Sequence, residues 1–284
     1  MVYRLLALDV DGTILRSNQR LDRETKDAVD YVKRKGVYVT LATRRHFSSA
    51  KKLAKALKLD TILITHNGAF VANVIDNPWL ERKLSAEEVG GITRLLEAFD
   101  CHIRIKHERF SVANRIRQNQ SMIAKLTIGD PLFYPVSFVD ELSEYLHDAP
   151  VSAPQIEVFF KDELQCRTAK EQLLSRFPEV NINIYEPNRM EIVARGVSKA
   201  EALLRLGERL DISPEEMVAV GDSYADMEMI AQVGLGVAMG HAPKEVKAQA
   251  KWVTRSNDQH GVSYMVKEVF RKQLRMQIRS IRSL

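Results

Sequence analysis

Two carboxylates one residue apart stand in the run Leu8-Asp9-Val10-Asp11-Gly12-Thr13, directly after the short apolar stretch Tyr3–Leu8. Such a stretch is long enough for a buried strand and too short for a helix. Side chains alternate along a strand, so Asp9 and Asp11 share a face at its C-terminal end, and in open α/β sheets ligands sit at that edge. Carboxylates about 4 Å apart repel by about 4 kcal/mol at an effective dielectric near 20. A hard cation with oxygen ligands, Mg²⁺ above all, relieves that repulsion. The alternative is an Asp-Gly turn whose carboxylates accept backbone hydrogen bonds.

Three further runs end apolar stretches with reactive residue types. Thr40-Leu41-Ala42-Thr43-Arg44-Arg45 places a hydroxyl and backbone amides before a helix, a natural anion cradle; an ordinary N-cap is the other reading of Thr43. Gly196-Val197-Ser198-Lys199-Ala200 puts a lysine in the first turn of a helix, where it opposes the helix dipole unless an anion is near; otherwise it is a solvated surface lysine. Val218-Ala219-Val220-Gly221-Asp222-Ser223-Tyr224-Ala225-Asp226 ends a strand with acids four residues apart, and Asp222 would cap the next helix if it stood alone.

The elements that position these residues alternate. Asp22–Lys35 reads as an amphipathic helix closed by Gly36, Val37–Leu41 as a strand, His46–Lys58 as a helix and Thr61–Ile64 as a strand. Asn67-Gly68 marks a tight turn before the returning strand Ala69–Ile75. The same grammar returns in helix Ser198–Leu210, strand Met217–Val220, helix Tyr224–Gln232 and strand Leu235–Ala238. Short strands alternating with helices predict a parallel sheet covered on both faces. Residues 85–190 differ: helices Ala86–Phe99, Val139–His147 and Asp162–Phe177 interleave with strands His102–Lys106, Gln155–Phe160 and Asn181–Tyr185, separated by loops with Pro131, Pro135, Pro150 and Pro154. The predicted organisation is an α/β core of residues 1–84 and 191–284 with an α/β domain, 85–190, inserted in it.

Composition narrows the function. The chain has 284 residues, 45% of them hydrophobic and 28% charged, which fits two soluble domains. No run approaches the roughly 18 apolar residues of a membrane span, and Asp9 interrupts the N-terminal apolar stretch too early for a secretory signal. Cys101 and Cys166 have no metal-ligand spacing, so a reducing cytoplasm is expected. The net charge of +5 equals the five cations of the last segment, Arg271, Lys272, Arg275, Arg279 and Arg282. The rest is balanced, so neither nucleic acid nor membrane is an expected partner, and a monomer or homodimer is expected.

Together these motifs resemble the haloacid dehalogenase-like phosphohydrolases, specifically the Cof-type subfamily with a large α/β cap, over essentially the whole chain. Asp9-Val10-Asp11-Gly12-Thr13 looks like the first family motif, Thr43 the second, Lys199 the third, and Gly221-Asp222 with Asp226 the fourth. Asn67-Gly68-Ala69, Val237-Ala238-Met239-Gly240 and Asn257-Asp258-Gln259-His260-Gly261-Val262 are similar to subfamily landmarks. The resemblance implies a Rossmann-like core, the 85–190 insertion as cap, and a Mg²⁺-dependent phosphatase. In it Asp9 is the nucleophile that becomes an aspartyl-phosphate, and Asp11 is the general acid and then base. Mg²⁺ is held by Asp9, the Asp11 carbonyl and Asp222. Thr43, the Val10 amide and Lys199 neutralise phosphoryl oxygens, and Asp226 orients Lys199 or the metal shell. Arg44 replaces the usual motif glycine and either adds a phosphate contact or obstructs one; Ala225 and His241 each stand where asparagine is usual. Phosphotransfer by the same aspartate, or metabolite binding with weak turnover, are the rival readings.

Two weaker signals complete the sequence. His102, Arg104, Lys106, His107, Arg109, Arg115 and Arg117 crowd the start of the insertion; a solvated face is expected, a site for a second anionic group the alternative. Phe159, Phe160 and Tyr185 read as core aromatics. Phe270, Leu274, Ile278 and Ile281 form an apolar stripe at helical spacing, expected to pack on the core or another subunit.

Overall fold

The computed structural model describes residues 2–115 and 133–273; Arg117, Pro131, Leu274, Arg275, Ile278, Arg279, Ile281 and Arg282 lie outside the described residues. Its strands, in chain order, are β1 (Leu5–Leu8), β2 (Tyr38–Leu41), β3 (Leu63–Thr65), β4 (Phe70–Ala72), β5 (Leu80–Glu81), β6 (Cys101–Lys106) and β7 (Ser111–Asn114). These are followed by β8 (Val136–Val139), β9 (Gln155–Phe160), β10 (Val180–Glu186), β11 (Arg189–Ala194), β12 (Met217–Gly221), β13 (Leu235–Ala238) and β14 (Trp252–Val253). The chain forms two compact units, one of Met1–Thr43, Lys51–Ile64 and Lys199–Leu284, the other of Arg44–Ala50 and Thr65–Ser198.

The first unit is built on a parallel sheet ordered β14-β13-β12-β1-β2. Every residue of β1, and Met217–Val220 of β12, is fully buried, as expected of central strands covered on both faces. From β1 the chain proceeds outward through β2, and a parallel bridge from Ala42 to Ile64 extends that side; β12, β13 and β14 proceed the other way. The reversal between β1 and β12 is a topological switch point, where side chains beyond both strand ends face one crevice. Helix Arg23–Arg34 is started by Asp22, whose carboxylate accepts from Thr25 N at 2.8 Å, and Gly36, at φ +80°, ends it in the left-handed conformation glycine tolerates. Helix Gly261–Phe270 buries Phe270, edge-on to Tyr3.

The second unit is a six-stranded sheet ordered β10-β11-β9-β6-β7-β8, antiparallel except for the parallel pair β7–β8. Alternate residues of its central strands face one core. Ile103, Ile105, Ile156, Val158, Phe160, Met190 and Ile192 share one apolar core with residues of helices Ala86–Leu96, Leu142–Asp148 and Glu163–Arg176. Helix Ala86–Leu96 starts in a capping box, Ser85 and Glu88 each bonding the other's backbone amide.

The sequence reading misses β5, β7, β8, β11 and β14. Val136–Val139, expected to lead into a helix, is instead a strand. The expected boundary at 190/191 falls inside β11, which is hydrogen-bonded to both β9 and β10. Replacing Phe160, which is fully buried, with alanine is expected to destabilise the protein by about 3–5 kcal/mol; a denaturant midpoint unchanged from wild type would contradict this core assignment.

Candidate active site

β1 ends at Leu8, and Asp9 continues it in extended backbone (φ −67°, ψ 165°) with its N–H donating to Val220 O at 2.9 Å. The chain then turns tightly: Gly12 has φ +78°, and Leu15 N–H donates back to Val10 O. A Cβ at Gly12 would collide with the Asp222 carboxylate, so only glycine lets the β1 turn approach the end of β12. Asp9 and Val10 are buried and Asp11 half-buried.

Lys199 is the first residue of helix Lys199–Arg209. Its ammonium, 1% exposed, donates to Asp9 Oδ1 at 2.6 Å and to Asp226 Oδ1 at 2.8 Å. The solvated-lysine alternative is therefore excluded. Asp226 is fully occupied: its Oδ2 accepts from the amides of Asp222 and Ser223 and from Ser223 Oγ. Asp222 accepts from Thr13 Oγ1 at 2.9 Å through Oδ1, while His241 Nε2 lies 3.5 Å from Oδ2. Thr43 is buried after β2, its amide donating to Ile64 O at 2.8 Å. The structure thus brings Asp9, Asp222, Asp226 and Lys199 together. Thr13, Ser223 and the proximity of His241 to Asp222 escape the sequence reading, because only tertiary packing shows which neighbours reach the carboxylates.

The electrostatics are unbalanced. Burial pushes the Asp9 carboxyl well above the ordinary aspartate range, the carboxylates of Asp226, Asp222 and Asp11 push it further, and Lys199 alone opposes them. Burial would also raise Asp226, but Lys199 and the bonds from Ser223 outweigh it and hold it low. Burial would lower Lys199, yet Asp226 and Asp9 keep it firmly protonated. One ammonium thus serves several carboxylates. Single oxygens of Asp9, Asp222 and Asp226 lie within 4.8 Å of one another, a donor set suited to a hard divalent cation.

In the second unit the register aligns Ala113, Arg104, Glu157, Glu191 and Asn183 across the sheet, beside a row of Ser111, Lys106 and Gln155. Arg109 and Arg115 are exposed, as a solvated face requires, but His102, Arg104 and Lys106 are buried. For these three the expectation is corrected: burial lowers the His102 pKa to about 4, and the charges of Arg104 and Lys106 lie near buried Glu157. Arg189 grips Glu157, and Arg104 Nη1 lies 3.9 Å from its other oxygen. Lys106 Nζ donates to Arg44 O at 3.0 Å. Burial would raise the Glu157 carboxyl, but Arg189, Lys106 and Arg104 hold it far below the usual range. Arg44 lies over the Tyr185 ring with Nη1 4.0 Å from Glu191 Oε1. Of the expected core aromatics Phe160 is one; Phe159 and Tyr185 lie under the guanidinium groups of Arg189 and Arg44.

A Rossmann-like parallel sheet with carboxylates at its switch point and a lysine bridging two of them defines a class of hydrolases. Residues 6–266 match the haloacid dehalogenase-like hydrolase family, and the chain belongs to it. It is 47% identical over 277 residues to the Bacillus subtilis stress response protein YhaX, covering 97% of this chain and 96% of that one. It is 31% identical to the B. subtilis 5-amino-6-(5-phospho-D-ribitylamino)uracil phosphatase YcsE over 93% of this chain and 94% of that one. Among solved structures, a haloacid dehalogenase-like hydrolase from Bacteroides thetaiotaomicron superposes with a TM-score of 0.82 at 24% identity, over 94% of this chain and all of that one. Relatives of this chain are named phosphatases, and the chain is a phosphoric monoester hydrolase.

Removing the bridge tests the first unit. Lys199→Met is expected to destabilise the fold by about 3–5 kcal/mol, because it strands two buried carboxylates, and adding Asp226→Asn should restore part of the loss in urea unfolding. In the second unit, the lowered pKa of Glu157 means that its stabilisation is present above the unfolded carboxylate pKa of about 4.3 and is lost as pH falls. The stability difference between wild type and Glu157→Gln should therefore be largest at neutral pH and shrink by pH 3; a difference that grows on acidification would refute this.

Proposed function

We propose that the protein is a Mg²⁺-dependent phosphatase that hydrolyses small phosphorylated metabolites (sugar phosphates, nucleotides or phosphorylated cofactors) through an aspartyl-phosphate on Asp9. The observation that carries this reading is the Lys199 ammonium on Asp9 Oδ1 at 2.6 Å: it directs one carboxylate oxygen and supplies positive charge where a phosphoryl group would arrive. The other Asp9 oxygen attacks phosphorus, forming the aspartyl-phosphate, a mixed anhydride, as the bond to the leaving oxygen breaks. Asp11 gives that oxygen its proton, then takes one from the water that attacks the intermediate, releasing phosphate and restoring Asp9. Lys199, the Thr43 hydroxyl and the Val10 amide stabilise the charge on the transferring oxygens.

Asp9, Asp222 and the Asp11 carbonyl would hold Mg²⁺, which when bound supplies the positive charge this carboxylate cluster lacks. Asp226, with both oxygens engaged by Lys199 and the Asp222–Ser223 segment, acts as a positioning residue. The second unit, with the 85–190 insertion, serves as the cap that selects substrates.

Phosphate release from an aryl phosphate and a metabolite panel should require Mg²⁺, be abolished by EDTA, and fall at least about 10³-fold in Asp9→Asn. Asp11→Asn should lose about 10²–10⁴-fold on alkyl phosphates and less on p-nitrophenyl phosphate, whose leaving group needs little protonation. Turnover that survives Asp9→Asn, or that requires an added bisphosphate, would overturn the reading.

A further inference from the structure

The run Asn257-Asp258-Gln259-His260-Gly261-Val262 lies outside the carboxylate cluster of the first unit, and its polar side chains converge on residues 15–22. Asn257 Nδ2 donates to Leu15 O at 2.9 Å. The Asp258 carboxylate accepts from Ser17 N at 3.1 Å and from Ser17 Oγ at 2.5 Å, and these bonds hold it below the usual aspartate range. His260 Nδ1 lies 2.9 Å from Asp22 Oδ2, on the residue that starts helix Arg23–Arg34. The first two partnerships span 242 and 241 positions of the chain. They reach backbone atoms, so they fix the path of the chain whatever side chains it carries. The loop has turn bonds of its own, from Gln19 N–H to Arg16 O at 2.8 Å and from Arg16 N–H to Arg20 O at 3.0 Å. The distant contacts are therefore not needed to close it. The turn that supplies them is itself anchored: Gly261 N–H donates to Ser256 O at 2.9 Å, and a Cβ at Gly261 would collide with Arg255 O.

Leu15 connects these contacts to the acid of the reaction. Its N–H donates to Val10 O at 3.1 Å while its C=O accepts from Asn257. Asp11 lies inside the turn so closed, beside Gly12 at φ +78°. On the near side the chain is fixed to the sheet by Asp9 N–H on Val220 O. Asp9 is thus held by the sheet and by Lys199, whereas Asp11, beyond the strand end, depends on what holds the far side of its turn. A general acid must lie within hydrogen-bond reach of the leaving oxygen, and a displacement of about 1 Å costs about 10²-fold in rate. Resting on the phosphatase reading, we infer that Asn257 and Asp258 are positioning residues that hold the turn carrying Asp11, and so aim its carboxyl for proton transfer. Loosening them disturbs protonation of the leaving group more than attack by Asp9.

Phenyl phosphate and p-nitrophenyl phosphate are similar in shape but differ in how much proton the leaving oxygen needs, so their kcat/KM values separate aim from general damage. Asn257→Ala and Asp258→Ala should lower kcat/KM for phenyl phosphate about 10- to 100-fold and for p-nitrophenyl phosphate no more than about threefold. Asp258→Asn keeps an oxygen for the Ser17 amide and an NH₂ group for its hydroxyl, and should hold the wild-type ratio to within about threefold. Hydrogen exchange supplies a readout apart from activity: amides of residues 10–17 should exchange about 5- to 10-fold faster in Asn257→Ala while those of β1 and β12 keep their wild-type rates. Should Asn257→Ala fail to fold, Asp258→Ala and Ser17→Ala, both at exposed positions, carry both measurements. An unaltered ratio in the alanine variants, an equal loss with both esters, or unchanged exchange across residues 10–17 overturns the positioning role while the phosphatase reading stands. No phosphate release from either ester by the Mg²⁺-loaded wild type overturns the phosphatase reading, and the positioning role with it.

Discussion

Repulsion between carboxylates gathered at one edge of a parallel sheet is the constraint on which the first unit is organised. Asp9 and Asp222 are carried there by β1 and β12, adjacent strands whose backbones leave no freedom to separate them. The Lys199 ammonium, bonded to Asp9 and Asp226, is the counter-charge that lets two of these acids remain buried. Around it the backbone is arranged to admit close approach: Gly12 lets one turn meet the Asp222 carboxylate, and Gly221 leaves room for Asp226. A buried ion pair is by itself weak evidence for stability.

The second unit solves a different problem with the same material. The central strands β6, β9 and β11 are buried on both faces, but one face is apolar and the other carries Arg104, Lys106, Glu157 and Glu191. Glu157 and Glu191 stand directly opposite each other in the ladder, an arrangement that is destabilising unless cations intervene. Arg189 hydrogen-bonds Glu157, with Arg104 at ion-pair distance, whereas Glu191 has Arg44 only at ion-pair distance. The asymmetry separates a structural acid from one with bonding capacity in reserve.

The three departures from the family motifs have concrete structural outcomes. Arg44 spends its side chain on Glu191 and Tyr185. Ala225 removes no bond from Asp226, because Ser223 supplies both an amide and a hydroxyl to it. His241 places an imidazole nitrogen 3.5 Å from Asp222 Oδ2, so a ring stands beside the carboxylate that would ligate the metal.

Much of this was legible in the residues alone. Apolar runs too short for helices marked β1, β2 and β12, and the acids and lysine at the ends of elements stood out because ionisable groups there oppose burial. The start of helix Arg23–Arg34 and its end at Gly36 followed from local capping chemistry, which needs no distant partner. Other features were beyond reach. Arg189–Ile192 alternates polar and apolar residues, but its place in the sheet depends on pairing with Gln155–Phe160, far away in sequence. That Arg104 and Lys106 are buried, that Lys199 reaches Asp9 across 190 positions, and that Thr13 bonds Asp222 were decided by tertiary structure alone. Periodicity and capping are local and written in neighbouring residues, whereas the pairing of charges depends on which strand ends the fold brings into one low-dielectric space.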